Sequence, residues 1–174
     1  YPIGITVQNN RYSSYKWIKH SIGNRQSLIN DQVNSIIEDS DGDLWFGTNN
    51  GISLLNSKTG QWRSFLSSFE KNQDSRSHIF TTLCEVLPGV VWAGGYFSGI
   101  YQIDKRSSNV SYFTPASYAY ENIRPDKYIR DIRKDSQGNI WSGGFYNLKR
   151  INVHTKNIQL YHGLNSITAI LERD

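Results

Sequence analysis

Apolar residues fall along this chain in short clusters parted by turn residues, and the pattern is clearest from Val33 to Phe65. Val33–Asp39 is an apolar run with polar interruptions, long enough for one strand. Ser40-Asp41-Gly42-Asp43 follows, with an Asp-Gly pair suited to the φ > 0 conformations of a tight hairpin turn. Leu44–Thr48 makes a second strand, Asn50-Gly51 a second turn and Ile52–Asn56 a third strand. Ser57-Lys58-Thr59-Gly60 turns the chain again, and Gln61–Phe65 completes the set. Turn signals this closely spaced leave no room for a helix. The pattern predicts one antiparallel four-stranded meander.

The meander recurs. Trp45, Trp92 and Trp141 stand 47 and 49 residues apart, each behind an apolar residue and a Gly-containing turn, each followed two positions later by Gly47, Gly94 or Gly143. The third strands match as GISLLN, GIYQID and NLKRIN, and the fourth strands end on Phe65, Phe113 and Tyr161. In the last copy Asn147 takes the place of Gly51 and Gly99, and Asn tolerates left-handed backbone well, so the alignment predicts a positive φ there. The three tryptophans should occupy equivalent buried sites. A lone four-stranded sheet with two apolar faces can bury neither, whereas sheets stacked around an axis bury both, and a repeat of this length is the size of a propeller blade.

The motif resembles the two-component regulator propeller repeat, whose signature runs V-x-x-I-x-x-D-x-x-G-x-L-W-x-G-T-x-x-G-L and ends in an aromatic. It stands best in Val33–Gly51 and more loosely in Phe80–Gly99 and Ile129–Asn147. Val86 departs from it where Asp39 and Asp135 keep the acid, and Gly95 and Gly144 replace the Thr. The expected fold class is therefore all-β, a β-propeller segment of four-stranded antiparallel blades. Complete blades are expected at 33–65, 78–113 and 128–161. A partial blade, third and fourth strands only, is expected at 1–18, and the first strand of a further blade at 166–174. Such an arc would leave the apolar flanks of its end blades open, so the chain is expected to be an excised part of a larger propeller that self-associates by itself.

Composition fits a β protein, with aromatics at 13% of 174 residues. The net charge of +4 is spread thinly, the densest basic groups being Lys105-Arg106 and Arg130–Lys134, which argues against a nucleic-acid partner. No apolar run reaches the length of a membrane span.

Most local constellations have plain readings. Asp39–Asp43 lacks the Gly and Glu positions of an EF-hand and reads as a hairpin turn. Cys84 is the one cysteine, so no disulfide forms within the chain. The histidines His20, His78, His154 and His162 share no metal-ligand spacing, so no metal and no cofactor is expected. No phosphate loop and no nucleophile elbow is present. Asn109-Val110-Ser111 is a formal glycosylation sequon.

The hairpin tips between second and third strands stand apart. The first copy has Asn49-Asn50 there, but the second has Tyr96-Phe97-Ser98 and the third Phe145-Tyr146. Large aromatics are not needed to turn a hairpin. In a propeller these tips share a face with the crossing loops, which supply Arg76, His78, Tyr118, Tyr120, Arg124, Tyr128 and Arg130. Rings and guanidinium groups gathered there would suit stacking on sugars and pairing with carboxylate or sulfate. The same rings could instead cover the seam between blades or dock another domain.

The resemblance implies a setting for such a surface. Similar repeats form the periplasmic sensor region of membrane-bound two-component histidine kinases, often hybrid ones controlling polysaccharide use. That implies an oligosaccharide ligand, partners among other blades and domains of the parent sensor, and no enzyme activity in this segment. Propeller lyases and hydrolases, and pure scaffolds, are the alternatives. An enzyme would need an acid/base set at the channel mouth, for which His78 and a few carboxylates are the candidates.

Overall fold

A computed structural model of the chain describes residues 5–8, 15–67, 78–113, 128–164 and 166–173, with side chains from Trp17 onward. A two-stranded hairpin comes first, β1 (Ile5–Gln8) and β2 (Tyr15–Ile18). The first blade follows as β3 (Val33–Glu38), β4 (Leu44–Thr48), β5 (Gly51–Leu55) and β6 (Trp62–Phe65). The second is β7 (Phe80–Leu87), β8 (Val90–Gly95), β9 (Gly99–Asp104) and β10 (Val110–Tyr112). The third is β11 (Ile129–Lys134), β12 (Ile140–Gly144), β13 (Leu148–Ile151) and β14 (Ile158–Tyr161). Each blade is an antiparallel sheet whose strands pair in sequence order.

The apolar cores lie in the seams between blades. One seam gathers Trp45, Ile52, Leu54 and Phe65 of the first blade with Phe80, Leu83, Val91, Ala93, Tyr101 and Ile103 of the second. The next gathers Val86, Trp92, Ile100 and Phe113 with Ile129, Ile132, Ile140 and Ile151. The motif Trp of each blade packs against the aromatic at the end of its outer strand. Trp45 and Phe65 lie 5.6 Å apart, Trp92 and Phe113 4.7 Å, and Trp141 and Tyr161 5.3 Å. Trp45 and Trp92 are fully buried, whereas Trp141 is half-buried, in a blade whose far face is covered, among the described residues, by 166–173.

The glycine two positions after each Trp seats the next inner strand. A Cβ on Gly47 would meet Phe80 and Leu83, one on Gly94 would collide with Ile129 and Ile132, and one on Gly143 with Ile167 and Ile170. Residues 166–173 pair with no strand among the described residues, yet they lie on the third blade as β7 lies on the first and β11 on the second. Ile36, with Val33 at the same positions of β3, is 48% exposed.

One turn differs from its expectation. Gly51 and Gly99 have φ of 103° and 66°, but Asn147 does not adopt a positive φ. The first two hairpins stay paired up to Thr48↔Gly51 and Gly95↔Gly99. In the third, pairing between β12 and β13 stops at Gly143↔Leu148, which leaves four residues to make the turn. The longer loop reverses the chain without left-handed backbone at Asn147.

Candidate functional site

The aromatic tips of the second and third blades meet over one seam, through Tyr128. This residue directly precedes β11, and its ring lies 4.8 Å from Tyr96, 4.2 Å from Phe97 and 4.9 Å from Phe145. Tyr96 and Phe97 make an edge contact at 5.5 Å, and Phe145 touches Tyr146 at 6.2 Å. The rings therefore do cover the seam, but they are not consumed by it: Tyr96, Phe97 and Tyr146 remain 43%, 48% and 52% exposed. The Tyr128 phenol is pushed above its ordinary pKa by burial and by the neighbouring Tyr96 and Tyr146. Phe97 sits at φ 59°, a left-handed conformation costly for a bulky residue, so the tip holds its ring against backbone preference.

Arg130 completes the cluster, with its guanidinium carbon 4.7 Å from the Phe145 ring centre. A bulge in the β11–β12 ladder falls on this residue, as bulges fall on Asn34 in β3 and Thr81 in β7. His78 lies elsewhere. Its Nδ1–H donates to Leu66 O at 2.8 Å and its own carbonyl accepts from Gly51 N at 2.8 Å, so it fastens the crossing between the first two blades. Arg76, Tyr118, Tyr120 and Arg124 fall outside the described residues. The structure thus brings together Tyr96, Phe97, Tyr128, Phe145, Tyr146 and Arg130.

A second constellation occupies the opposite end of β4. Lys105, in the turn after β9, sends its ammonium across the first seam to Asp39 at 2.7 Å and to Asp41 and Asp43 at 2.8 Å each. Asp39 also accepts from the Trp45 indole N–H at 2.8 Å. Burial pushes the Asp39 and Asp43 carboxyls up, but the hydrogen bonds from Lys105 and from their neighbours outweigh it, and both pKa values lie below the usual one. Burial likewise works against the Lys105 charge, and the three carboxylates overcome it and raise its pKa. The sequence alone reads this stretch as a plain hairpin turn and Lys105 as one of several scattered bases. The available signal was repeat position, since the equivalents of Lys105 are Ser57 and Val153. The Cys84 thiol is pushed up to about 11 by burial, which keeps it protonated at neutral pH. No group of metal-ligating side chains occurs among the described residues.

A family model described as the two component regulator propeller matches residues 27–50 and 123–146. Both segments match the two-component regulator propeller repeat. The second blade, between the matched segments, forms the same ladder although Val86 replaces the aspartate of its repeat. Histidine kinase P4 of Formosa agariphila is 31% identical to this chain over 90 residues, which make up 50% of this chain and 7% of the kinase. Among solved structures, the extracellular domain of a hybrid two-component system from B. thetaiotaomicron superposes with a TM-score of 0.72 at 24% identity, covering 90% of this chain and 20% of that one. A second such domain from the same organism gives 0.66 at 19% identity, covering 91% and 22%. These two likenesses show the fold, a β-propeller segment of four-stranded blades. The chain spans only a small part of each of these relatives.

Proposed function

We propose that this regulator-propeller chain belongs to the extracytoplasmic input region of a two-component sensor, in the periplasm, and that it binds an oligosaccharide on the aromatic rim between its second and third blades. The observation that carries the reading is the half-exposed cluster of Tyr96, Phe97, Tyr128, Phe145 and Tyr146. Flat rings offered to solvent at a propeller rim suit the apolar faces of pyranose rings, and stacking of this kind needs no deep pocket. Phe97, held in left-handed backbone, fits a tip shaped for contact more than for easy turning. The likeness to a histidine kinase and to extracellular domains of hybrid two-component systems supports the sensor setting, with phosphoryl chemistry in other domains of the same protein. Because the cluster draws on two blades, a ligand there would act on the geometry of the seam and so on the domains beyond it.

Calorimetric titration of the full-length protein with neutral and acidic oligosaccharides tests the reading. Tyr96→Ala and Tyr146→Ala are expected to weaken binding by about tenfold or more, at the stacking energies known for aromatic contacts. Unchanged affinity in both variants would reduce the rim to a structural cover.

A further inference from the structure

The three inner strands carry a bulge at the same place, and the bulged side chain does the same work twice. Asn34 donates its amide to Phe80 O at 3.1 Å, and Thr81 its hydroxyl to Ile129 O at 2.8 Å, so each ties its own inner strand to the first residue of the next. Arg130 is the third member of the series and breaks it. Its side chain turns to the rim and lies over Phe145. Bulges re-aim side chains, and here the re-aimed group is a cation set beside exposed rings.

The charge of Arg130 is unspent among the described residues, where it makes no hydrogen bond and no ion pair. The nearest acid along its strand is committed elsewhere. Asp131 accepts from Ile170 N at 2.7 Å and pairs with Arg133 at 3.3 Å. None of the described rim residues Tyr96, Phe97, Tyr128, Phe145 and Tyr146 carries an acid. A guanidinium placed over a ring face still has N–H groups to offer, and these match carboxylate or sulfate oxygens in pairs.

Resting on the oligosaccharide reading above, we infer that the rim selects an anionic sugar, with Arg130 as the specificity-determining residue that pairs with a uronate carboxylate or a sulfate while the rings stack on the sugar face. Neutral sugars would keep the stacking and lose the charge-assisted bonds.

A panel of oligogalacturonates, their methyl esters, sulfated galacto-oligosaccharides and neutral galacto-oligosaccharides, titrated into the full-length protein, tests this. The methyl ester masks the acid on an unchanged sugar, and comparison of the uronate with the sulfated arm separates the two anions. At least one acid-bearing probe is expected to bind about tenfold or more tighter than its uncharged counterpart, with affinity falling as salt rises. Arg130→Gln is expected to abolish that difference, and Arg130→Lys to restore it in part. Equal affinity for charged and uncharged probes, or a preference untouched by Arg130→Gln, overturns the inference and leaves the oligosaccharide reading standing. No binding across the whole panel overturns both.

Discussion

Lys105 Nζ stands 2.7 Å from Asp39 Oδ2, and the two residues belong to different blades. At the next seam the equivalent positions are Val153 and Val86, which join one apolar cluster instead. One seam is thus closed by a buried ion cluster and its neighbour by valines at the same places. The exchange leaves a trace. The Trp45 indole N–H donates to Asp39, whereas the buried N–H of Trp92 has no partner because Val86 offers no oxygen. Glutamates follow the same alternation: Glu85 grips Ser40 N and Oγ, Glu172 grips Ser136 likewise, and between them Leu87 faces a blade whose equivalent residue is Lys134. The seam beneath the aromatic rim thus lacks such clasps at this end among the described residues.

Replacing Lys105 with Met would strand Asp39 and Asp43 as buried, uncompensated charges. The variant is expected to lose about 3–5 kcal/mol of unfolding free energy. Urea denaturation followed by tryptophan fluorescence measures it. A loss below about 1 kcal/mol, the range of exposed ion pairs, would mean that the cluster is solvated in solution.

The same cluster sets a pH dependence. Asp39 and Asp43 have folded pKa values below the ordinary 3.8, so their contribution is complete above that value and is lost as pH falls through the folded ones. Lys105 is raised, so its contribution is complete below the ordinary 10.5 and is lost only as pH climbs through its folded value. The stability gap between the native chain and Lys105→Met is therefore expected to narrow on acidification below 3.8. Thermal melts of both proteins across acid and neutral pH check it.

Trp45 and Trp92 are equally buried but differ in the polar atom. Trp45→Phe leaves an acceptor of Asp39 without its donor, and Trp92→Phe removes an N–H that was already unpartnered. The first is expected to cost roughly 1–3 kcal/mol more than the second. Truncation to Ala at either site should cost about 3–5 kcal/mol. Trp141→Ala should cost less, because that ring is half-buried.

Gly94 and Gly47 occupy the same repeat position with different clearance. A Cβ at Gly94 overlaps Ile129, while one at Gly47 comes only to 3.2 Å from Phe80 O. Gly94→Ala is expected to destabilise by about 1–3 kcal/mol, the usual range for overpacking, and Gly47→Ala by less. Chemical denaturation of the pair decides the order.

Ile36 presents an apolar side chain, 48% exposed, on a face whose counterparts Leu83 and Ile132 are buried against the preceding blade. The 174-residue chain is expected to self-associate through it. Light scattering should show a concentration-dependent mass that Ile36→Ser lowers; a monomer at all concentrations would count against this surface.

Much of this protein is written in short stretches of sequence. Strands, turns and repeat length follow from residues within a few positions of one another, because a hairpin turn and an alternating strand are decided locally. Asp41-Gly42, Asn50-Gly51 and the Trp-x-Gly pattern make the blades legible in the sequence itself. Asn147 shows the limit even there, since its backbone depends on where pairing between β12 and β13 stops and not on the residue's own tolerance. Contacts between blades lay beyond reach. Lys105 and Asp39 are 66 residues apart, and Tyr128 meets Tyr96 and Phe145 only because two separate sheets are stacked. Side chains of different blades become neighbours through the angle at which one sheet packs on the next. That angle is set by the collective fit of a whole seam, for which no single stretch of sequence carries the signal.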